Sequence, residues 1–233
     1  MKKVAPENVI DVLPCPDGFV YITQNRNDNN TVMASFFLYN QLSGNTSSIS
    51  KAEYQKIKFG FAFEPIVDTI VDYIFCDAGK FSDNTVLVNT HVGDMYVFDS
   101  VGDLSFDGKI LYKDCTLHGS CVDDNNLWCA VRDKNCIINY SPVKRKILYR
   151  IGGGVNTSFD KPVSVFKSDN EIYVCNSGNN VIRVFNTSTL TASNYLKFTE
   201  PLHKYFKVGA CEYIFLKSGV YSLSFDDKAN NYV

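Results

Sequence analysis

Five times along the chain an apolar strand turns, returns as a second strand, and ends on an aromatic residue followed by a small polar one. The endings are Tyr39-Asn40, Phe98-Asp99, Tyr140-Ser141, Phe185-Asn186 and Phe225-Asp226. Successive aromatics lie 59, 42, 45 and 40 residues apart. A unit of about 40 residues made of short strands cannot hide both faces of its small sheet, so it must stack against copies of itself. Runs such as Ile172-Tyr173-Val174-Cys175 are apolar at every position. That suits a sheet held between two neighbours better than a sandwich with one wet face. The pattern predicts an all-β fold, a β-propeller of four-stranded antiparallel blades forming one domain over residues 1–233. The direct count is five blades, with six as the alternative if residues 51–77 hide a degenerate one.

The long first step has its excess in Gln41-Leu42-Ser43-Gly44-Asn45-Thr46-Ser47-Ser48-Ile49-Ser50, which has the composition of a surface loop. The following residues, 52–63, are read as an outer strand plus connector. In blade two a first strand is expected at residues 69–76 and an outer one at residues 109–112. Blade five has only residues 221–225 and 230–233 for its last two strands, and Lys2-Lys3-Val4 could add to it and close the ring.

Charge and cysteine content narrow the function. A net charge of −2, with Lys and Arg scattered, lacks the clustered basic field that a phosphate backbone demands. Nucleic acid is therefore not an expected partner. No run approaches the roughly 18 apolar residues of a membrane span, and the charged start Met1-Lys2-Lys3 has no signal-peptide core behind it. A soluble, cytoplasmic protein that does not engage membranes is expected. Residues 170–185 overlay residues 125–140 without a gap, placing Cys129 at Val174 and Cys136 at Val181. A thiol in place of valine acts as a small buried hydrophobe. The eight cysteines include no C-x2-C pair, so free thiols are expected, with no metal and no cofactor. Trp128 overlays Tyr173 and is expected to pack between blades.

The segment Phe159-Asp160-Lys161-Pro162-Val163-Ser164-Val165, followed by Glu171-Ile172-Tyr173-Val174-Cys175-Asn176-Ser177-Gly178-Asn179-Asn180-Val181-Ile182-Arg183-Val184-Phe185, resembles an NHL repeat. It departs from that pattern at Asn176, where Asp is usual, and at Val181, where Arg is usual. The blade-three hairpin, with Asp133-Lys134-Asn135 in its turn, is also similar to a WD40 hairpin. The resemblance implies a propeller that serves as a binding platform, although related propellers include lactonases and lyases.

In a propeller, the turns between second and third strands share a face with the links between blades. That face is expected to carry Arg26, Asp28, His91, Asp94, Arg132, Asp133, Lys134, Asn176, Asn179 and Lys217. Their mixed charge suits recognition of a protein or peptide by a non-enzymatic module, a monomer or a subunit of a larger assembly. The alternative is a small-molecule hydrolase, lactonase or lyase at the mouth of the central channel. It would use His118 and His203 with Glu64 or Asp160 as general base, acid or ligand set. Gly152-Gly153-Gly154 precedes a strand and lacks a following Gly-Lys-Ser/Thr, so it reads as a link and not a phosphate loop.

Overall fold

The computed structural model describes residues 1–26, 32–59, 77–80, 86–89, 94–98, 104–109, 117–154 and 158–229. Its strands make four-stranded antiparallel sheets that follow chain order from the inside outward, except that the N-terminal strand is the outermost of the last blade. Blade one holds β2 (Val9–Cys15), β3 (Gly18–Arg26), β4 (Val32–Asn40) and β5 (Thr46–Ile49). Blade two, described through its backbone, holds β6 (Asp77–Lys80), β7 (Val86–Asn89), β8 (Asp94–Phe98) and β9 (Leu104–Lys109). Blade three holds β10 (Leu117–Asp123), β11 (Asn126–Val131), β12 (Cys136–Ser141) and β13 (Lys146–Gly152). Blade four holds β14 (Pro162–Ser168), β15 (Glu171–Asn176), β16 (Val181–Asn186) and β17 (Thr191–Lys197). Blade five holds β18 (Leu202–Val208), β19 (Cys211–Leu216), β20 (Gly219–Leu223) and, outermost, β1 (Lys2–Ala5).

The first strands adjoin one another in the order β6, β10, β14, β18, β2, so they line the centre of a radial array. This is a β-propeller. Its core is a series of seams between blades. Trp128, Ala130 and Ile137 pack against Phe159, Val165 and Ile172 between blades three and four. Tyr173, Cys175 and Ile182 meet Leu202, Tyr205 and Ile214 between blades four and five. Phe19 and Tyr39 of blade one meet Phe206 and Tyr213 of blade five, with Phe19 ring centroids 5.5 and 5.2 Å from those of Phe206 and Tyr213. Burying each Val, Leu, Ile or Phe among them stabilises the fold by about 1.5–3 kcal/mol. β12 is buried along its whole length, which is why its sequence shows no inside–outside alternation.

The gapless overlay holds: the bounds of β11 and β12 recur 45 residues later in β15 and β16. The aromatic-plus-polar endings have a local cause. Asn40 Oδ1 accepts from the N–H groups of Leu42 and Ser43 at 3.1 and 2.9 Å. Asn186 Oδ1 accepts from those of Ser188 and Thr189 at 2.9 and 3.0 Å. Ser141 Oγ accepts from Lys144 N at 3.4 Å. The aromatic is buried in a seam while its polar neighbour folds the outer turn.

Several expectations are corrected. The polar stretch 41–50 contains β5, paired to β4 from Tyr39–Thr46 to Phe36–Ile49. The expected outer strand after it is instead the helix α1 (Lys51–Phe59). Ser50 and Glu53 form a reciprocal cap: Ser50 N and Oγ donate to Glu53 Oε2 at 2.7 and 2.8 Å, and Glu53 N donates to Ser50 Oγ at 3.2 Å. α1 adjoins β4 and β6, and so lies between blades one and two. The outer strand of blade two is β9, and its first is β6; residues 69–76 lie outside the described residues. Phe225-Asp226 does not end a strand, because Ser224 caps a short helix, α2 (Phe225–Ala229). The closing strand is β1, with Lys2 opposite Ser222 and Lys3 opposite Tyr221; residues 230–233 lie outside the described residues.

Candidate binding face at the hairpin tips

In blades one, three, four and five the first strand pairs antiparallel with the second, and the second with the third. The second-to-third turns therefore emerge on the face from which each first strand starts. On this face the turns are tied to the links between blades. In blade three, Arg132–Lys134 form one 3₁₀ turn, closed by Asn135 in the left-handed region with its N–H on Arg132 O at 3.2 Å. Asn135 Oδ1 accepts from Lys161 N at 2.8 Å, so the tip of blade three holds the link that starts blade four. In blade four, Ser177 N donates to Lys161 O at 3.1 Å and Gly178 N to Asp160 O at 3.2 Å. A Cβ at Gly178 would run into the Asp160 carboxylate. In blade five, Ser218 N and Oγ donate to Glu200 at 2.8 and 2.6 Å, and Lys217 N donates to Pro201 O at 2.9 Å.

With the backbone fixed in this way, the side chains of Arg132, Asp133, Lys134, Lys161, Asn179 and Lys217 stand exposed. Arg132, Lys134, Lys161 and Lys217 enter no ion pair among the described residues. The topology brings the blade-three, blade-four and blade-five members of the expected set onto one face. Asn176 differs from the rest: it is buried, and its Oδ1 accepts from Asp160 N at 3.3 Å. Arg26 and Asp94 end β3 and begin β8, at the tip end of those strands. Asp28, His91 and Glu64 lie outside the described residues.

At the channel mouth, β2, β10, β14 and β18 share a register shift that leaves Ile10, Gly119, Val163 and His203 unpaired. Such bulges turn the strand and re-aim the residues that follow, here Asp11, Ser120, Ser164 and Lys204. Between blades three and four the strands come so close that a Cβ on Gly119 would sit 2.5 Å from Ser164 Cα and 2.7 Å from Val163 O. Between blades five and one the same level is charged. Asp11 Oδ2 accepts from Lys58 Nζ and from Tyr54 Oη, each at 2.9 Å, both from α1. Lys204 Nζ donates to Val12 O at 2.7 Å and lies 3.8 Å from Asp11. Burial raises the Asp11 pKa, but Lys58 and Lys204 outweigh it and hold the carboxyl below its usual range. Sequence reading missed Asp11, Tyr54 and Lys58. The available signal was an acidic residue inside the apolar run Val9-Ile10-Asp11-Val12-Leu13.

His118 is half-buried on β10, and His203 is exposed on β18 with its ring 4.9 Å from that of Phe215. Partial loss of water on the covered side of His203 lowers its pKa, and Glu200 opposes the shift. β14 stands between the strands of the two histidines. The link residue Asp160 has its carboxylate against the blade-four tip. Among the described residues no three or more of His, Cys, Asp and Glu group as metal ligands would. Cys15, Cys175 and Cys211 are free thiols, Cys129 and Cys136 are buried, and burial pushes Cys175 up to about 12. Trp128 is buried between blades, with Nε1 donating to Asp123 Oδ2 at 3.2 Å. No described helix is long and apolar enough to cross a membrane.

No family model and no curated protein matches the chain. Among solved structures it is similar to virginiamycin B lyase from Staphylococcus aureus, at 12% identity and a TM-score of 0.57, over 92% of this chain and 79% of that one. It is also similar to a streptogramin B lyase, at 14% identity and a TM-score of 0.58, over 93% and 78% of the two chains. A third likeness is to U3-55K, at 9% identity and a TM-score of 0.53, over 95% of this chain and 62% of that one. At these identities the likenesses establish the propeller fold.

Proposed function

We propose that the chain is a cytoplasmic, non-enzymatic interaction module that holds a protein or peptide partner on its hairpin-tip face. One observation carries this reading. The tips of blades three to five are fixed by hydrogen bonds to the inter-blade links, yet Arg132, Lys134, Asn179 and Lys217 are exposed. A surface ordered before binding loses little entropy on complex formation. The NHL-like hairpin of blade four supports the same reading. The test is capture of partners from native lysate by the wild-type chain and by a variant with Arg132→Ala and Lys134→Ala. Loss of a partner in the variant is expected; capture of the same partners by both chains would move the site elsewhere.

A hydrolase or lyase at the channel mouth has one observation in its favour: His203 occupies the unpaired bulge position of β18, the innermost strand of blade five. His118 stands on a strand separated from it by β14, so His203 would need a partner other than His118. Retained partner capture by a His203→Ala variant is the outcome that fits the binding module.

A further inference from the structure

Among the described turns that surround the channel, cations stand at the hairpin tips and acids at the opposite turns. On the hairpin-tip face, Arg132, Lys134, Lys161 and Lys217 are exposed and without an ion-pair partner among the described residues. On the opposite face, the turns between first and second strands expose Asp17, Asp124 and Asp169 around the other mouth of the channel. Lys144, Arg145 and Lys146 lie on that opposite side too, on the outer turn of blade three away from the channel.

The acidic turns have a backbone reason. Asp124 and Asp169 adopt φ of 53° and 51°, a left-handed conformation that aspartate tolerates better than most residues. The cations at the tips have no such reason: Lys161 also takes a positive φ, 48°, but lysine is not a residue that this conformation favours. The tip backbones are held by Asn135, Ser177, Ser218 and Glu200, and none of the four cationic side chains takes part in that bonding. Exposed cations left unpaired by the fold attract anionic partners and repel cationic ones.

Resting on the binding reading above, we infer that the partner presents an acidic peptide segment, rich in carboxylate side chains, across the tips of blades three to five. A nucleic acid fits less well. The Asp133 side chain and the Asp160 carboxylate stand among the cations, and a continuous phosphate backbone would meet both, whereas a peptide can space its acids between them.

The experiment titrates the full chain against fluorescein-labelled peptides of repeating Glu-Gly, Ser-Gly and Lys-Gly, and against a single-stranded DNA oligonucleotide, read by anisotropy. The Glu-Gly peptide should bind in preference to the others. The double variant Arg132→Glu, Lys134→Glu should weaken it by roughly tenfold or more, and added salt should weaken it further. Asp124→Lys with Asp169→Lys, on the other face, should leave it unchanged. Thermal melting of both variants checks that each is folded. Failure of the Glu-Gly peptide to bind, equal binding to the tip variant, or tighter binding of the oligonucleotide would overturn the inference. If a lysate partner is lost from the tip variant but is not competed by the Glu-Gly peptide, the acidic segment is wrong and the face stands. If no lysate partner depends on the tip residues, the binding reading falls as well.

Discussion

The turns at the two ends of the channel do different structural work. Those joining first to second strands are tied mainly within their own blade: Asp124 and Asp169 take positive φ in two-residue turns, and Asn170 O accepts from Thr187 N of the outer turn at 2.8 Å. Those joining second to third strands depend on residues from the neighbouring link, as when Asn135 receives the N–H of Lys161 or Glu200 receives both donors of Ser218. The acidic charge of Asp124 and Asp169 therefore follows from local conformation and says little about partners. Charge at the tips is free of that duty, so its sign is informative. The lesson concerns which exposed residues bear on function: those whose type the backbone does not already require.

The contrast can be attacked at several depths. The largest effect is expected from Asp11→Ala. It leaves Lys58 and Lys204 without their shared carboxylate in a region where the Lys58 side chain is only 2% exposed. Removing one partner of a buried pair costs about 3–5 kcal/mol, read by denaturant unfolding. The same residue sets an acid limit. Its folded pKa lies below the usual value, so its contribution is full above that value and is lost as pH falls below about 4. Wild type should lose stability through that range more steeply than Asp11→Ala; parallel acid unfolding curves would remove Asp11 from the account.

Gly119→Val should cost about 1–3 kcal/mol by forcing β10 and β14 apart. Because both faces rest on the same inner strands, it should loosen both together, seen as faster amide exchange at tips and opposite turns alike. Exchange confined to one face would show that the two are built independently. Asn40→Ala and Asn186→Ala each remove an acceptor serving two backbone N–H groups, and each should cost about 1 kcal/mol in thermal unfolding. The smallest effect belongs to the exposed charges. Arg132→Glu with Lys134→Glu, and Asp124→Asn, should each change stability by no more than about 0.5 kcal/mol. A large loss from the tip variant would mean that those cations support the fold after all.

The blade boundaries were legible where local chemistry sets them. The overlay of residues 125–140 on 170–185 predicted the pairing of β11 with β12 and β15 with β16, because strand length and turn residues recur together. The helix at Lys51–Phe59 was also legible and was missed. Ser50-Lys51-Ala52-Glu53 is a capping box, obscured because the surrounding repeat implied another strand. On the candidate face, the exposure of Arg132, Lys134, Asn179 and Lys217 followed from their place in tip turns. Asn176 looked equivalent to Asn179, but it occupies the last paired position of β15, opposite Val181, and is drawn inward to Asp160.

The sequence alone determined that short, doubly apolar strands recur with turn-forming residues between them. Burial of both faces and the φ preferences of Asn, Asp and Gly act within a few residues, so they can be read along a line. Tertiary structure decided what depends on distant segments: β1 completing the last blade, α1 set between blades one and two, and Lys58 and Lys204 meeting at Asp11. Those contacts join residues 47 and 193 positions apart, and no local preference records which charge will find which once the ring closes.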